Sequence, residues 1–206
     1  MRSKIYGIGI NDANYVVGMN ELCDNTGRYK KKWTCPYYAK WFGIFNRCYS
    51  KARLSKYPTY EHCEVSEDFH RFTDFVSWVN LQPNRDWQKC HLDKDLLVEG
   101  NKVYSPSNCV FITPKVNGFL IDRKRFRGDL MLGVSKDRGR FKARCMNPFT
   151  GKAKHLGNYA TELEAHKAWQ AKKHEYACQL ADLQEDPRVA QALRERYAPD
   201  RDWTNK

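Results

Sequence analysis

Residues 90–122 read CHLDKDLLVEGNKVYSPSNCVFITPKVNGFLID, and the order of local signals in them leaves few folds open. Residues 89–93 alternate weakly and read as a short strand. DLLVEGNK (95–102) is a loop that turns at Gly100 and Asn101. Val103 with Tyr104, and then residues 109–112, are strand-like, with SPSN between them. Thr113 and Pro114 open a helix over 115–122, because the threonine hydroxyl can cap and proline suits the first helical position. A strand–loop–strand–helix unit of this kind is too small to bury itself, so the elements before it must supply its core.

Those elements are aromatic. Over 37–49 the side chains of Tyr38, Trp41, Phe42, Phe45, Cys48 and Tyr49 recur near helical spacing. Thr34 and Pro36 mark the start of this helix. A second helix is expected over 66–80, with Ser66 as N-cap, Asp68 in the first turn, and Phe69, Phe72, Phe75, Val76 and Val79 as its buried face. The opening IYGIGI reads as a strand, and RYKKKW (28–33) either as a phosphate-contacting arm or as a solvated loop.

Beyond residue 122 the chain turns basic. Eleven cations fall between 123 and 154 against Asp129 and Asp137 alone. Three strands are expected at 130–135, 140–147 and 152–159, joined by the turn sequences KDRG and PFTG. Thr161 and Glu164 form a capping box for a long helix to about 183, and a short helix around Val189, Leu193 and Tyr197 occupies the tail. The formal net charge of +12 points to a polyanionic partner, most often nucleic acid. No apolar run approaches the roughly 20 residues of a membrane span, and no signal sequence is evident, so no membrane partner and a cytoplasmic location are expected. The eight cysteines contain no C-x-x-C pair. Buried free thiols are favoured over a structural Zn2+ held by a subset such as Cys35, Cys48, Cys63 and Cys109.

The polar side chains of 90–122 suit phosphodiester chemistry. Such a reaction needs a hard cation, a base to activate water, and a group to orient that base. Asp93 offers a strand-end carboxylate for Mg2+ or Mn2+. Asn117 offers an amide oxygen from the following helix, and Asn108 can orient a base.

Asp93, Asn108 and Asn117 in this order resemble the ββα-metal site of HNH endonucleases. The wider text RCYS…CEVSEDFHRFTDF…LDKDLLVEGNKVYSPSNCVF is similar to phage-encoded HNH proteins of the homing type over about 35–119. The resemblance implies a general base directly after the strand acid, normally histidine, where this chain has Lys94. An ordinary lysine, with a pKa of about 10.4, cannot accept a proton at neutral pH. Two substitutes are expected: His91, two residues before Asp93 on the same strand face, or Lys94 itself as a charge stabiliser.

A second resemblance covers 131–180. GVSKDRGRFKARC…HLGNYATELEAHKAW is similar to the plant Apetala/ethylene-response-factor DNA-binding domain, a three-stranded sheet and a helix. In that family the sheet enters the major groove. The positions carried over are Ser135, Arg138, Arg140, Lys142, Arg144, Lys154 and His155, with His155 where the family often has Trp. Arginines so placed read guanine edges, and lysines position phosphates.

The expected protein is therefore α+β. A ββα-metal (HNH) nuclease module spans 1–122, a basic linker 123–127, a sheet-and-helix DNA-binding domain 128–185, and a tail 186–206. The expected function is metal-dependent cleavage or nicking of double-stranded DNA, in the host cytoplasm if the gene is a phage's. The alternative is a catalytically weak or inactive DNA-binding or regulatory protein on the same scaffold, acting on a host protein.

Overall fold

Aromatic residues at helical spacing build the core on which the rest of the N-terminal half rests. The computed structural model describes residues 4–23, 27–121 and 128–201. Its architecture is mixed α+β, and it divides into two compact units, Met1–Phe111 and Ile112–Lys206. Among the described residues no helix is long and apolar enough to cross a membrane.

In the first unit, α1 (Pro36–Tyr49) buries Trp41, Ile44, Phe45 and Cys48 on one stripe. Helix α3 (Phe72–Asn80) buries Phe72, Phe75, Trp78 and Val79. Trp41 lies edge-on to Phe45, 5.0 Å between ring centroids, and 5.5 Å from Phe72. Its indole N–H donates to the Phe69 carbonyl at 2.7 Å, so the largest core side chain also satisfies its one polar atom. A short helix α2 (Lys51–Lys56) follows α1, with Ser50 accepting from Arg53 N–H as its cap.

Two small strand pairs sit on this core. Strand β3 (Glu64–Val65) pairs in parallel with β5 (Val103–Tyr104). Strand β4 (His91–Asp93) neighbours β6 (Val110–Ile112). Leu92 and Phe111 are buried in the same aromatic cluster, Phe111 lying 5.7 Å from both Trp78 and Trp87. The hairpin β1 (Gly18–Cys23) and β2 (Arg28–Thr34) completes the unit.

Four expectations change here. IYGIGI is not a strand: Tyr6 and Gly7 take positive φ, and its pairing is limited to two isolated bridges, Ile5 with Gly9 and Ile10 with Arg71. RYKKKW lies in β2 rather than in a loop. The helix expected over 66–80 is split into a single 3-10 turn (Glu67–Phe69) and α3, and the Ser66 side chain caps neither. The cause of the split is non-local. Ile10 N–H donates to the His70 carbonyl at 2.7 Å, and Phe72 N–H donates to the Ile10 carbonyl at 3.0 Å. Backbone spent on this bridge cannot continue a helix. Asp12 then caps α3 from outside, accepting from Thr73 N–H at 3.0 Å and Thr73 Oγ1 at 2.7 Å. At α1, Pro36 holds the first turn as expected, whereas Thr34 ends β2 and Cys35 is the N-cap without a side-chain bond.

In the second unit, β7 (Val134–Asp137), β8 (Arg140–Met146) and β9 (Ala153–Tyr159) form an antiparallel sheet in that order. The β7–β8 turn places Arg138 at φ 50° and Gly139 at φ 80°, the pairing required by a two-residue hairpin loop of the primed kind. Helix α5 (Glu162–Ala181) opens on the expected capping box, with Glu164 N–H to Thr161 Oγ1 at 3.2 Å and Thr161 N–H to Glu164 Oε2 at 3.0 Å. Ala143 and Ala165, both fully buried with Val134, bring sheet and helix together. Gly133 (φ +78°) lies directly against the helix: a Cβ there would stand 2.0 Å from the Trp169 ring.

Helix α4 (Pro114–Leu120) belongs to this second unit, capped as expected by Thr113, whose Oγ1 accepts from Val116 N–H at 3.2 Å. The expected junction is at 122, whereas the two compact units divide after Phe111. The expected linker, 123–127, lies outside the described residues. Helix α6 (Pro187–Arg196) has Asp186 as N-cap and buries Val189, Ala190 and Leu193.

Candidate functional site

Strand β4 alternates, with Leu92 in the core, His91 exposed and Asp93 half-buried. His91 and Asp93 therefore share the face opposite Leu92. Asp93 Oδ1 accepts the N–H groups of Asp95 at 3.0 Å and Leu96 at 2.7 Å, which turns the chain sharply at the strand end. Its second oxygen, Oδ2, takes no hydrogen bond from the described residues. Burial raises the Asp93 carboxyl above its ordinary range, with the Asp95 carboxylate adding to the effect against the opposing pull of the two N–H groups and Lys94. A half-buried carboxylate with one oxygen open and a like charge beside it is stabilised by a cation.

Lys94 points elsewhere. It is only 6% exposed, and its Nζ donates to the Asn101 carbonyl at 2.7 Å and to Asp95 Oδ2 at 3.2 Å. The Tyr104 ring lies 6.0 Å away. These two bonds tie Lys94 into the 94–101 loop.

Asn101, which the sequence reading treated only as a turn residue, is the hub of this loop. Its Nδ2 donates to the carbonyls of Lys94 (2.6 Å) and Val103 (2.7 Å). Its Oδ1 accepts from Val103 N–H (3.1 Å) and from Asn108 Nδ2 (3.2 Å). Asn108 thus reaches the loop through Asn101, while its own Oδ1 accepts from Ser107 Oγ at 3.3 Å and its N–H donates to Ser105 Oγ at 3.3 Å. It orients the loop and makes no bond to His91 or Lys94. The signal available in the sequence was the Gly-Asn pair itself, an amide at a turn where the backbone needs external partners.

Beneath β4 stand two more cations missed by sequence reasoning. Arg47 of α1 donates to Tyr104 Oη at 3.0 Å, and Lys40 Nζ donates to the Cys90 carbonyl. With Lys94 they set a positive background around a carboxylate-bearing strand end.

Asp93, Lys94, Asn101 and Asn108 are brought together in the first unit. Asn117 lies on α4 in the second. Among the described residues, no three or more His, Cys, Asp or Glu side chains gather as a metal-binding group. Cys35, Cys48, Cys63 and Cys109 are buried free thiols. Burial pushes the Cys48 and Cys109 thiols up to about 12, so they pack as small apolar groups.

On the second unit's sheet, cross-strand register sorts the expected contact residues. Val134 pairs with Ala143 on the face turned to α5. The opposite face carries three rows: Asp137 with Arg140, Ser135 with Lys142 and Asn158, and Arg144 with His155. Lys142 is partly neutralised by Asp137, 2.9 Å away. Arg138 sits at the turn tip. Lys154 pairs with the buried Cys145 and therefore falls on the α5 side of the sheet, away from Arg144 and His155. Comparison with family models, with curated proteins and with solved structures returns no match for this chain.

Proposed function

We propose that this chain is a metal-dependent DNA endonuclease of the HNH type, with the sheet of the second unit as a separate DNA-recognition surface. The observation that supports this most is Asp93: a half-buried strand-end carboxylate whose Oδ1 is fixed by two N–H groups and whose Oδ2 is open. A bound Mg2+ or Mn2+ would supply the positive charge that stabilises the departing phosphodiester oxygen. Asp93 would hold it; Asn117, which the family resemblance implies as a second ligand, lies on α4 in the other unit.

The chain's own residues do the rest. His91, exposed on the same strand face as Asp93, takes the proton from the attacking water. Lys94, Asn101 and Asn108 keep the 94–108 loop in one conformation, so that the Asp93 carboxylate meets the metal already oriented. Arg140, Arg144 and His155 on the open face of the β7–β8–β9 sheet, with Arg138 at its tip, contact the duplex.

One observation favours a second reading, in which the fold binds DNA without cutting it. The residue after the strand acid is a lysine locked into the loop. Supercoiled plasmid separates the two readings. The enzyme reading expects nicking that requires Mg2+ or Mn2+, is abolished by Asp93→Asn, and falls at least tenfold in His91→Ala. Tight binding of the plasmid by the wild-type chain with no nicking in either metal would establish the second.

A further inference from the structure

The β1–β2 hairpin buries almost nothing. Every residue of β2 except Thr34 is exposed, and Tyr29 is 75% exposed. An isolated two-stranded ribbon is marginal in water on its own account. Only its base joins the core, where Cys35 N–H donates to the Val17 carbonyl at 2.9 Å and Cys35 is buried.

Register gives the ribbon two distinct faces. One carries the rows Leu22–Tyr29 and Asn20–Lys31, all exposed, up to the irregularity between Met19 and Asn20 that precedes the exposed Met19–Trp33 row. The other carries Glu21, which bridges Lys30 at 3.3 Å and Lys32 at 3.4 Å, together with the row Cys23–Arg28. Strand β2 carries four cations, Arg28, Lys30, Lys31 and Lys32, of which Lys30 and Lys32 share the Glu21 carboxylate.

We infer that this ribbon is a duplex-DNA contact additional to the sheet of the second unit. A two-stranded ribbon fits the B-form major groove. Lysines on both faces reach the phosphates on either wall, while Tyr29 and Trp33 lie against sugars and base edges. Charge decides against a protein surface as the occupant. Lys31 stands beside the Leu22–Tyr29 row on the same face, and a partner covering that face would have to desolvate the ammonium. Against DNA the same ammonium is an asset. The inference rests on the DNA-binding part of the proposed function, and it assigns part of that binding to the first unit.

The test is fluorescence anisotropy of the full chain on a labelled duplex in EDTA, over a series of salt concentrations. Lys30→Ala/Lys31→Ala/Lys32→Ala is expected to weaken binding at least tenfold at low salt and to lower the slope of log affinity against log salt by about 2. Lys51→Ala/Lys56→Ala on α2, which removes charge elsewhere on the same unit, leaves the slope within one. Tyr29→Ala/Trp33→Ala weakens binding with the slope unchanged. The single reversal Lys31→Glu, at an exposed position, repeats the triple variant's direction without deleting three side chains.

Wild-type binding with an unchanged slope in both lysine variants overturns the ribbon contact and leaves the proposed function standing. Equal losses from the α2 control overturn it as well, by reducing the effect to net charge. No DNA binding by the wild type overturns both. A Tyr29→Ala/Trp33→Ala chain that changes its sedimentation while binding DNA normally reassigns the ribbon to protein contacts.

Discussion

Asn101 makes four hydrogen bonds with one amide: two donated to carbonyls of the loop it closes, one accepted from Val103 N–H and one from Asn108. Removing it leaves carbonyls of a partly buried loop without partners. Asn101→Ala is expected to destabilise the first unit by about 3 kcal/mol, read by chemical denaturation. Asn101→Asp should be no better, because its carboxylate faces the Lys94 and Val103 carbonyls, to which the amide donated. The polar cluster of 90–108 was legible in the sequence as residue types and order. The direction of each side chain was not. Lys94 flanked by Asp93 and Asp95 reads as a surface lysine, yet Tyr104 and the Asn101 carbonyl, seven and more residues further on, draw it inside.

Among the elements, those with local signals were readable and those with distant causes were not. The capping box of α5 and the Thr-Pro start of α4 stand where the sequence put them. The break before α3 depends on Ile10, some sixty residues upstream, and no window around Ser66 contains it. Helix α4 is tied to α5 by a lysine. Lys173 Nζ donates to the Phe119 carbonyl at 2.6 Å and lies 3.5 Å from the Phe119 ring centroid and 5.1 Å from that of Tyr197. Burial lowers its ammonium from 10.5 to about 8, Cys145 pulling the other way and Arg196 with the burial. Between about 8 and 10.5 the unfolded chain holds this proton more tightly than the folded one, so the Lys173 contribution to stability rises with pH across that window. The difference in stability between wild type and Lys173→Met, measured by denaturant unfolding at pH 7.5 and 10, should therefore shift in favour of wild type at the higher pH. A difference that stays constant would show that the ammonium keeps its ordinary affinity for protons in the folded state.

At the scale of the whole molecule the charge of +12 is not spread evenly. It concentrates on the β2 strand and on the β7–β8–β9 sheet, where Arg140 and Arg144 stand on the face turned away from α5. If that face contacts DNA, Arg140→Ala/Arg144→Ala should weaken duplex binding and reduce the salt slope by about 2; Lys154→Ala, on the α5 side of the sheet, should change the slope by less than one. The charge, the sheet-and-helix order of the second unit and the aromatic core of the first were all visible in the sequence. The allocation of α4 to the second unit was not, because Thr113 and Pro114 start a helix without saying what its buried residues, Val116 and Phe119, will pack against.

In the proposed nuclease, Asp93 would hold a cation through Oδ2, the oxygen that takes no hydrogen bond from its own loop. Crystals of the chain soaked in Mn2+ and measured at a wavelength where manganese scatters anomalously test it directly. An anomalous peak is expected at coordination distance from Asp93 Oδ2, absent in Asp93→Asn crystals treated identically. A wild-type crystal with manganese bound elsewhere and none at Asp93 would contradict it.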